Sequence, residues 1–433
     1  MAGTEELILY RDLEYGKLFY GFTELIECCS LCMCEKEDMA AKYYDCLHDL
    51  IELSARHGFT GNLWHDFLAL VLVNNENAYS RSCEMRGEVS GTLAQAARHD
   101  FAVFQALFDF DLHKLEEELE VFGIEMIVSY TRTEHEGNMF NRRIRDRICE
   151  LARHLEAAED VGAFQRAVTE FYRDYGVGKL GLHKAFRIVH KKNGAKIVPI
   201  SNIAHVTLED LIGYEIAKKK LTDNTEAFVS GREANNCLLY GDAGTGKSSS
   251  IKAIANRYYD RGLRLIELYK HQFQDLNAVI SQIKTRNYKF IIYMDDLSFE
   301  DFETEYKYLK AVIEGGLEKK PDNILIYATS NRRHLIREKF SDKAELSDDL
   351  HNNDTVQEKL SLAARFGVQI YFGAPDKKEF QTIVASLADR HGICMEQETL
   401  LQKANQWEIS HGGRSGRTAQ QFIDDLLGKE ERT

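Results

Sequence analysis

The stretch Gly241-Asp242-Ala243-Gly244-Thr245-Gly246-Lys247-Ser248 fits G-x-x-x-x-G-K-[ST] at every fixed position. Residues 237–240 before it read as a short buried strand, and residues 249–259 after it read as a helix. A phosphate-cradling loop needs that order of strand, glycine turn and helix. Glycines let backbone N–H groups converge on an anion, and the helix N-terminus adds partial positive charge. In this reading Gly241, Asp242, Ala243, Gly244, Thr245, Gly246, Lys247, Ser248 and Ser249 surround the phosphates. Lys247 reaches the β- and γ-phosphates, and the Ser248 hydroxyl ligates Mg²⁺. The expectation is a nucleoside triphosphate site.

A second element completes it. The apolar run Phe290-Ile291-Ile292-Tyr293-Met294 ends in Asp295-Asp296, 48 residues after Lys247. That interval holds a helix, a strand and another helix, and an acid at a strand's carboxyl end suits Mg²⁺. Open α/β sheets place ligands at those ends, so Lys247 and Asp295 are expected to converge. The next strand, 324–328, runs into Thr329-Ser330-Asn331-Arg332-Arg333. Asn331 is the candidate for orienting water or sensing the γ-phosphate. Arg365, just before the strand 368–372, and Arg414 and Arg417, before a late helix, are candidates to meet phosphoryl charge.

Outward from this core, residues 1 to about 200 read as successive helices, including 38–57, 90–108, 142–158 and 161–175. His48, His65, His99 and His113 are dispersed among core-type neighbours. Arg142, Arg143, Arg145 and Arg147 read as a solvated helix face. From about Ile197 short strands (237–240, 265–268, 290–294, 324–328, 368–372) alternate with helices, which predicts a parallel sheet. After Pro375 only helices return, at 377–391, 396–407 and 418–427. The expected fold is an α/β P-loop core with a five-stranded parallel sheet and flanking helices. It carries a small C-terminal helical lid and follows an all-α N-terminal region, with domains at 1–196, 197–374 and 375–433.

The 433 residues are 44% hydrophobic, with only 3 prolines. The net charge of −14 disfavours a protein that coats nucleic acid. No apolar run reaches membrane-spanning length, and residues 1–10 lack a signal-peptide pattern. Nine cysteines at irregular spacing suit a reducing cytosol, so a cytoplasmic location is expected. Cys28, Cys29, Cys32 and Cys34 include one C-x-x-C, but no second pair follows at a finger-like distance; they read as small hydrophobes on a helix rather than zinc ligands.

Residues from about Val206 to Leu427 resemble the AAA+ ATPases, whose ordered signature is box II, Walker A, Walker B, sensor 1, arginine finger and sensor 2. Residues 231–236, 295–300 and 328–335 look like a bacterial family of uncharacterised AAA+-type ATP-binding proteins. The resemblance makes Leu211, Ile212 and Gly213 box II beside the adenine, Asn331 sensor 1, Arg365 a finger acting in trans, and Arg417 sensor 2. Arg332 and Arg333 stay open as alternative fingers. It implies ATP and Mg²⁺ as cofactors, a homo-oligomer, and a protein client met through the N-terminal helices. One departure concerns Walker B, where many AAA+ ATPases have Asp-Glu and this chain has Asp296, one methylene shorter. Glu300 is a candidate substitute. The function expected is ATP hydrolysis coupled to conformational work on a macromolecule. The alternatives are an ATP-dependent binding switch with little turnover and a nucleic-acid loader or remodeller.

Overall fold

The structure is a computed structural model that describes residues 3–31, 36–131, 141–191, 194–200, 203–299, 305–314, 321–333, 335 and 362–430. The chain divides into two compact units, Met1–His183 and Lys184–Thr433.

The first unit is helical. At its centre lies α1 (Leu63–Asn74), whose sequence LWHDFLALVLVN is apolar on nearly every side and is buried accordingly. Asn62 starts it by accepting the His65 N–H at 3.2 Å. Trp64 stacks on Phe22 with centroids 4.6 Å apart, and its indole N–H donates to the Leu107 carbonyl at 3.1 Å. The buried Asp100 carboxylate accepts the N–H groups of Ile8, Leu9 and Tyr10 at 2.8, 2.7 and 3.1 Å. Three donors offset the cost of burying that charge, and they pin the N-terminal segment to the core.

Two of the dispersed histidines bond backbone carbonyls. His65 Nε2 bonds the Phe108 carbonyl at 3.0 Å, and His99 Nε2 bonds that of Glu6 at 3.1 Å. On α2 (Arg142–Glu156) Arg145 pairs with Asp146, and Arg147 lies over the Tyr175 ring at 4.1 Å. Cys28 is disulfide-bonded, a departure from the thiol state that a reducing cytosol would favour. Cys32 and Cys34 lie outside the described residues. Among the described residues no helix is long and apolar enough to cross a membrane.

Asp66 on α1 gives this unit a pH dependence. Burial pushes its carboxyl up to about 6, against hydrogen bonding from Cys149 and the nearby Arg153. The folded state therefore holds this proton more tightly than the unfolded chain. Stability is fullest below the unfolded value near 4 and is lost as pH rises towards 6, by about 3 kcal/mol. Asp66→Asn should flatten this slope and raise the first unit's denaturation midpoint at pH 7.5. Equal pH profiles for the two proteins would contradict the assignment.

In the second unit a seven-stranded sheet runs in the order β2-β1-β4-β5-β6-β3-β7. Its strands are β1 (Ala185–Lys191), β2 (Gly194–Pro199), β3 (Cys237–Gly241), β4 (Leu263–Glu267), β5 (Lys289–Met294), β6 (Ile324–Ser330) and β7 (Val368–Phe372). The five expected strands are β3 to β7, and all their pairings are parallel. The expectation of five strands was two short. β1 and β2 form an antiparallel hairpin, and β1 extends the sheet beside β4. The sequence pattern groups these residues with the helices, and the hairpin lies ahead of or across the boundary expected at residue 196. Its signal is the alternation of buried Phe186 and Ile188 with outward residues.

The loop from β3 opens α3 (Lys247–Tyr258), which crosses to β4, while β7 flanks β3 on the other side. β3 is thus the point from which the chain winds in both directions, where ligands bind in such sheets. The three closing helices, α4 (Lys377–Arg390), α5 (Gln397–Ser410) and α6 (Gly416–Glu430), share a small core of Phe380, Val384, Leu400, Phe422 and Ile423. Asp376 caps α4 in a reciprocal box with Glu379 at 2.8 and 2.9 Å.

Candidate nucleotide site

The glycine loop departs from β3 in a conformation that side chains would block. Gly241 has φ of 137°, and a Cβ there would lie 2.0 Å from the Phe372 carbonyl oxygen. Its neighbour Asp242 donates its N–H to that same oxygen at 3.0 Å, which fastens the loop to β7. The Asp242 carboxylate turns away to accept the Ala374 N–H at 2.7 Å. Thr245 Oγ1 donates to the Asp242 carbonyl at 2.8 Å and closes the loop on itself.

Lys247 is 6% exposed, and its ammonium donates to the carbonyls of Gly241 (2.9 Å) and Asp242 (2.6 Å) and to Asn331 Oδ1 (3.1 Å). Burial holds its pKa below the usual lysine range, opposed by Asp242, Asp296 and Asp295.

The tips of β5 and β6 supply the acids and their partners. Asp295 Oδ1 accepts two hydroxyls, Ser248 Oγ at 2.7 Å and Thr329 Oγ1 at 2.5 Å. Partial desolvation works to raise the Asp295 carboxyl, but the hydroxyls around it outweigh this and hold it below the usual carboxylate range. Asp296 adopts φ of 49°, rare for an aspartate, and its N–H donates to Thr329 Oγ1 at 2.9 Å. Asn331 Nδ2 donates to Asp296 Oδ1 at 2.8 Å. One amide thus joins the buried lysine to the second acid.

The lid closes on the same loop. At Gly244, with φ of 76°, a Cβ would meet Ser415 Oγ at 2.8 Å, and the Arg417 N–H donates to the Gly244 carbonyl at 3.2 Å. Ser415 caps α6 by accepting the Thr418 N–H at 3.0 Å. The result is a cleft of about 650 Å³ lined by the glycine loop, Lys247, Ser248, Ser249, Asp295, Asp296, Thr329, Asn331 and Arg417. Leu211, Ile212, Tyr214, Ile383 and Leu387 give it one apolar wall.

Most residues singled out in the sequence meet in this cleft, and a few do not. Gly213 adjoins the wall without lining it. Arg414 pairs with Glu408 inside the lid at 2.9 Å, so of the two late arginines it is Arg417 that faces the loop. Arg365 sits in the turn before β7, at the opposite end of the strands. Glu300 lies outside the described residues, as do 336–361, which include the start of the segment leading to Arg365. Sequence reasoning gave no role to Thr329, Ser415 or Tyr293. A hydroxyl at the tip of the strand beside the acids was the available signal for Thr329.

The family model described as "Protein of unknown function (DUF815)" matches residues 182–430, more than half of the chain. The chain belongs to this family. The DUF815 chain has its five parallel strands in the order β4-β5-β6-β3-β7. It is 25% identical over 325 residues to AAA-ATPase At2g18190 of Arabidopsis thaliana, covering 69% of this chain and 63% of that protein. It is 35% identical over 79 residues to replication factor C subunit 3 of Schizosaccharomyces pombe, covering 18% of this chain and 22% of that one. The DUF815 chain thus spans less than two thirds of the length of these curated relatives. Among solved structures, the Thermotoga maritima RuvB Holliday junction branch migration motor aligns at 14% identity and TM-score 0.33, over 51% of this chain and 72% of its own. The FIGL-1 AAA domain in complex with ADP aligns at 17% identity and TM-score 0.36, over 52% and 74%.

Proposed function

We propose that this DUF815 chain is a Mg²⁺-dependent ATPase that works as a homo-oligomer and converts ATP hydrolysis into conformational work on a protein client in the cytoplasm. One observation carries the reading: the convergence of Lys247, Ser248, Asp295, Asp296 and Asn331 beneath a glycine loop on which Arg417 also closes. The apolar wall of Leu211, Ile212 and Ile383 suits a flat heteroaromatic base such as adenine.

Mg²⁺ fits the residues present. Ser248 Oγ and Asp295 Oδ1 lie 2.7 Å apart and form a hard-oxygen pair that would share the cation with phosphate oxygens and water. When bound, Mg²⁺ neutralises charge that develops on the transferred phosphoryl group. Lys247 exchanges its loop carbonyls for phosphate oxygens. Asp296 orients the attacking water, and Asn331, between Lys247 and Asp296, senses the γ-phosphate. Arg417 meets the phosphates from the lid of the same subunit. Arg365 acts on a neighbour's nucleotide.

The first unit is the proposed client-binding region. Its described surface exposes Phe122 (79%), Met126 (66%) and Tyr44 (49%), a suitable footing for a protein partner. Of the division at 1–196, 197–374 and 375–433, the core and the lid belong to the same proposal. The boundary at 196 falls within β2, and the compact units divide at His183 instead.

A second reading, a binding switch with little turnover, has its own support in Asp296. Its short side chain is tied to Asn331 at 2.8 Å on a left-handed backbone, which limits its reach to a water. A nucleic-acid loader is disfavoured by the net charge of −14.

Molar mass by light scattering with ADP and with ATP, alongside phosphate release, separates these readings. The ATPase predicts a larger assembly with ATP and steady phosphate release that stops in EDTA. Assembly with ATP but no release would favour the switch, and failure to bind either nucleotide would overturn both.

A further inference from the structure

Tyr293 is the penultimate residue of β5, two positions before Asp295 at the end of the strand. It is 2% exposed and packed in the apolar core under the cleft with Tyr327, Leu239 and Ile254. Its hydroxyl is buried and meets no partner with hydrogen-bonding distance and angle. Yet it stands near enough to the Asp295 carboxylate to help hold that acid below the usual range. Tyr327, its partner in register on β6, is satisfied by contrast: its hydroxyl meets Thr225 Oγ1 at 2.9 Å and Asn224 Nδ2 at 3.0 Å. The groups that surround the Tyr293 hydroxyl are the Asp295 carboxylate and the hydroxyls of Ser248 and Thr329. All three belong to the proposed metal end of the site.

A buried hydroxyl with no well-formed hydrogen bond lowers stability relative to phenylalanine, which would fill the same space. Its neighbours suggest what it is kept for. Asp295 Oδ1 now takes both Ser248 Oγ and Thr329 Oγ1. A cation would claim the Ser248 oxygen and disturb that arrangement, leaving Asp295 with Thr329 as its one remaining hydroxyl of the pair.

We infer that Tyr293 is a positioning residue for the divalent cation, its hydroxyl donating to the Asp295 carboxylate once Ser248 is committed to the metal. The inference rests on the nucleotide-site reading above and adds a residue to it. Tyr293 touches neither nucleotide nor reacting atoms and acts through Asp295 alone. Partners of metal-ligating carboxylates commonly govern affinity in this way.

The test is Mn²⁺ titration, by electron paramagnetic resonance, of the full chain with ADP present. Tyr293→Phe should weaken Mn²⁺ binding by about tenfold or more. Its metal-free ADP affinity should stay within about twofold of wild type, and its metal-free melting temperature should be equal or higher, since a poorly bonded buried hydroxyl is gone. Mn²⁺ affinity unchanged in Tyr293→Phe, while Asp295→Asn loses it, would overturn the role of Tyr293 and leave the site standing. A fall in metal-free melting temperature or ADP affinity would mark the hydroxyl as structural and also overturn the inference. A wild-type chain that binds neither ADP nor Mn²⁺ would overturn the nucleotide reading and this one with it.

Discussion

Arg365→Ala should slow ATP hydrolysis by about 10³-fold or more while leaving ATP affinity nearly intact. β7 runs parallel to β3 with Val368 opposite Cys237 and Phe372 opposite Gly241. The glycine loop leaves from the Gly241 end, whereas Arg365 precedes the Val368 end. A five-residue strand spans about 16 Å, too far for an arginine to reach back to its own phosphates. On the proposed reading, the nucleotide it meets is that of another subunit. A guanidinium suits the part because it is permanently charged and forked towards phosphoryl oxygens. Mixing Arg365→Ala with Lys247→Ala should restore partial activity, since one variant brings an intact loop and the other an intact finger. A monomer with full activity, or a mixture with no rescue, would count against action in trans. The same mixing with Arg332 or Arg333 variants tests the alternatives.

Lys247→Ala acts earlier, on binding itself. ATP affinity should fall by at least about tenfold, or roughly 1.4 kcal/mol, as measured by calorimetry. The ammonium is already desolvated and rests on two loop carbonyls and Asn331. Its replacement removes the loop's cation and leaves the carbonyls of Gly241 and Asp242 facing incoming phosphates. Wild-type affinity in this variant would remove the basis of the phosphate assignment.

The phosphate loop, the acids and Asn331 were legible in the sequence because each depends on local chemistry. Glycines at fixed offsets, a strand of pure hydrophobes and polar residues at its tip need no tertiary information. The hairpin at Ala185–Pro199 was not legible in the same way. Its alternation is short, and it follows a long run of helices whose pattern carries the reader past the change of period. Ser415 was missed for another reason. Its closeness to Gly244 comes from folding α6 back over a loop about 170 positions earlier in the chain, and nothing local encodes that. Tyr293 reads as one more core aromatic until its buried hydroxyl is seen beside Asp295 with no well-formed hydrogen bond. The two late arginines were equivalent by composition, and only the ion pair between Arg414 and Glu408 separates them.

The contact of Arg417 with Gly244 has a mechanical consequence. It makes the phosphate loop the fulcrum of α6, a rod of 15 residues. Such a rod is about 22 Å long, so a tilt of about 10° at the loop swings its far end by about 4 Å. A rearrangement of the loop too small to notice at the phosphates would thus be magnified along the helix, and load applied to its distal end would press back on the loop.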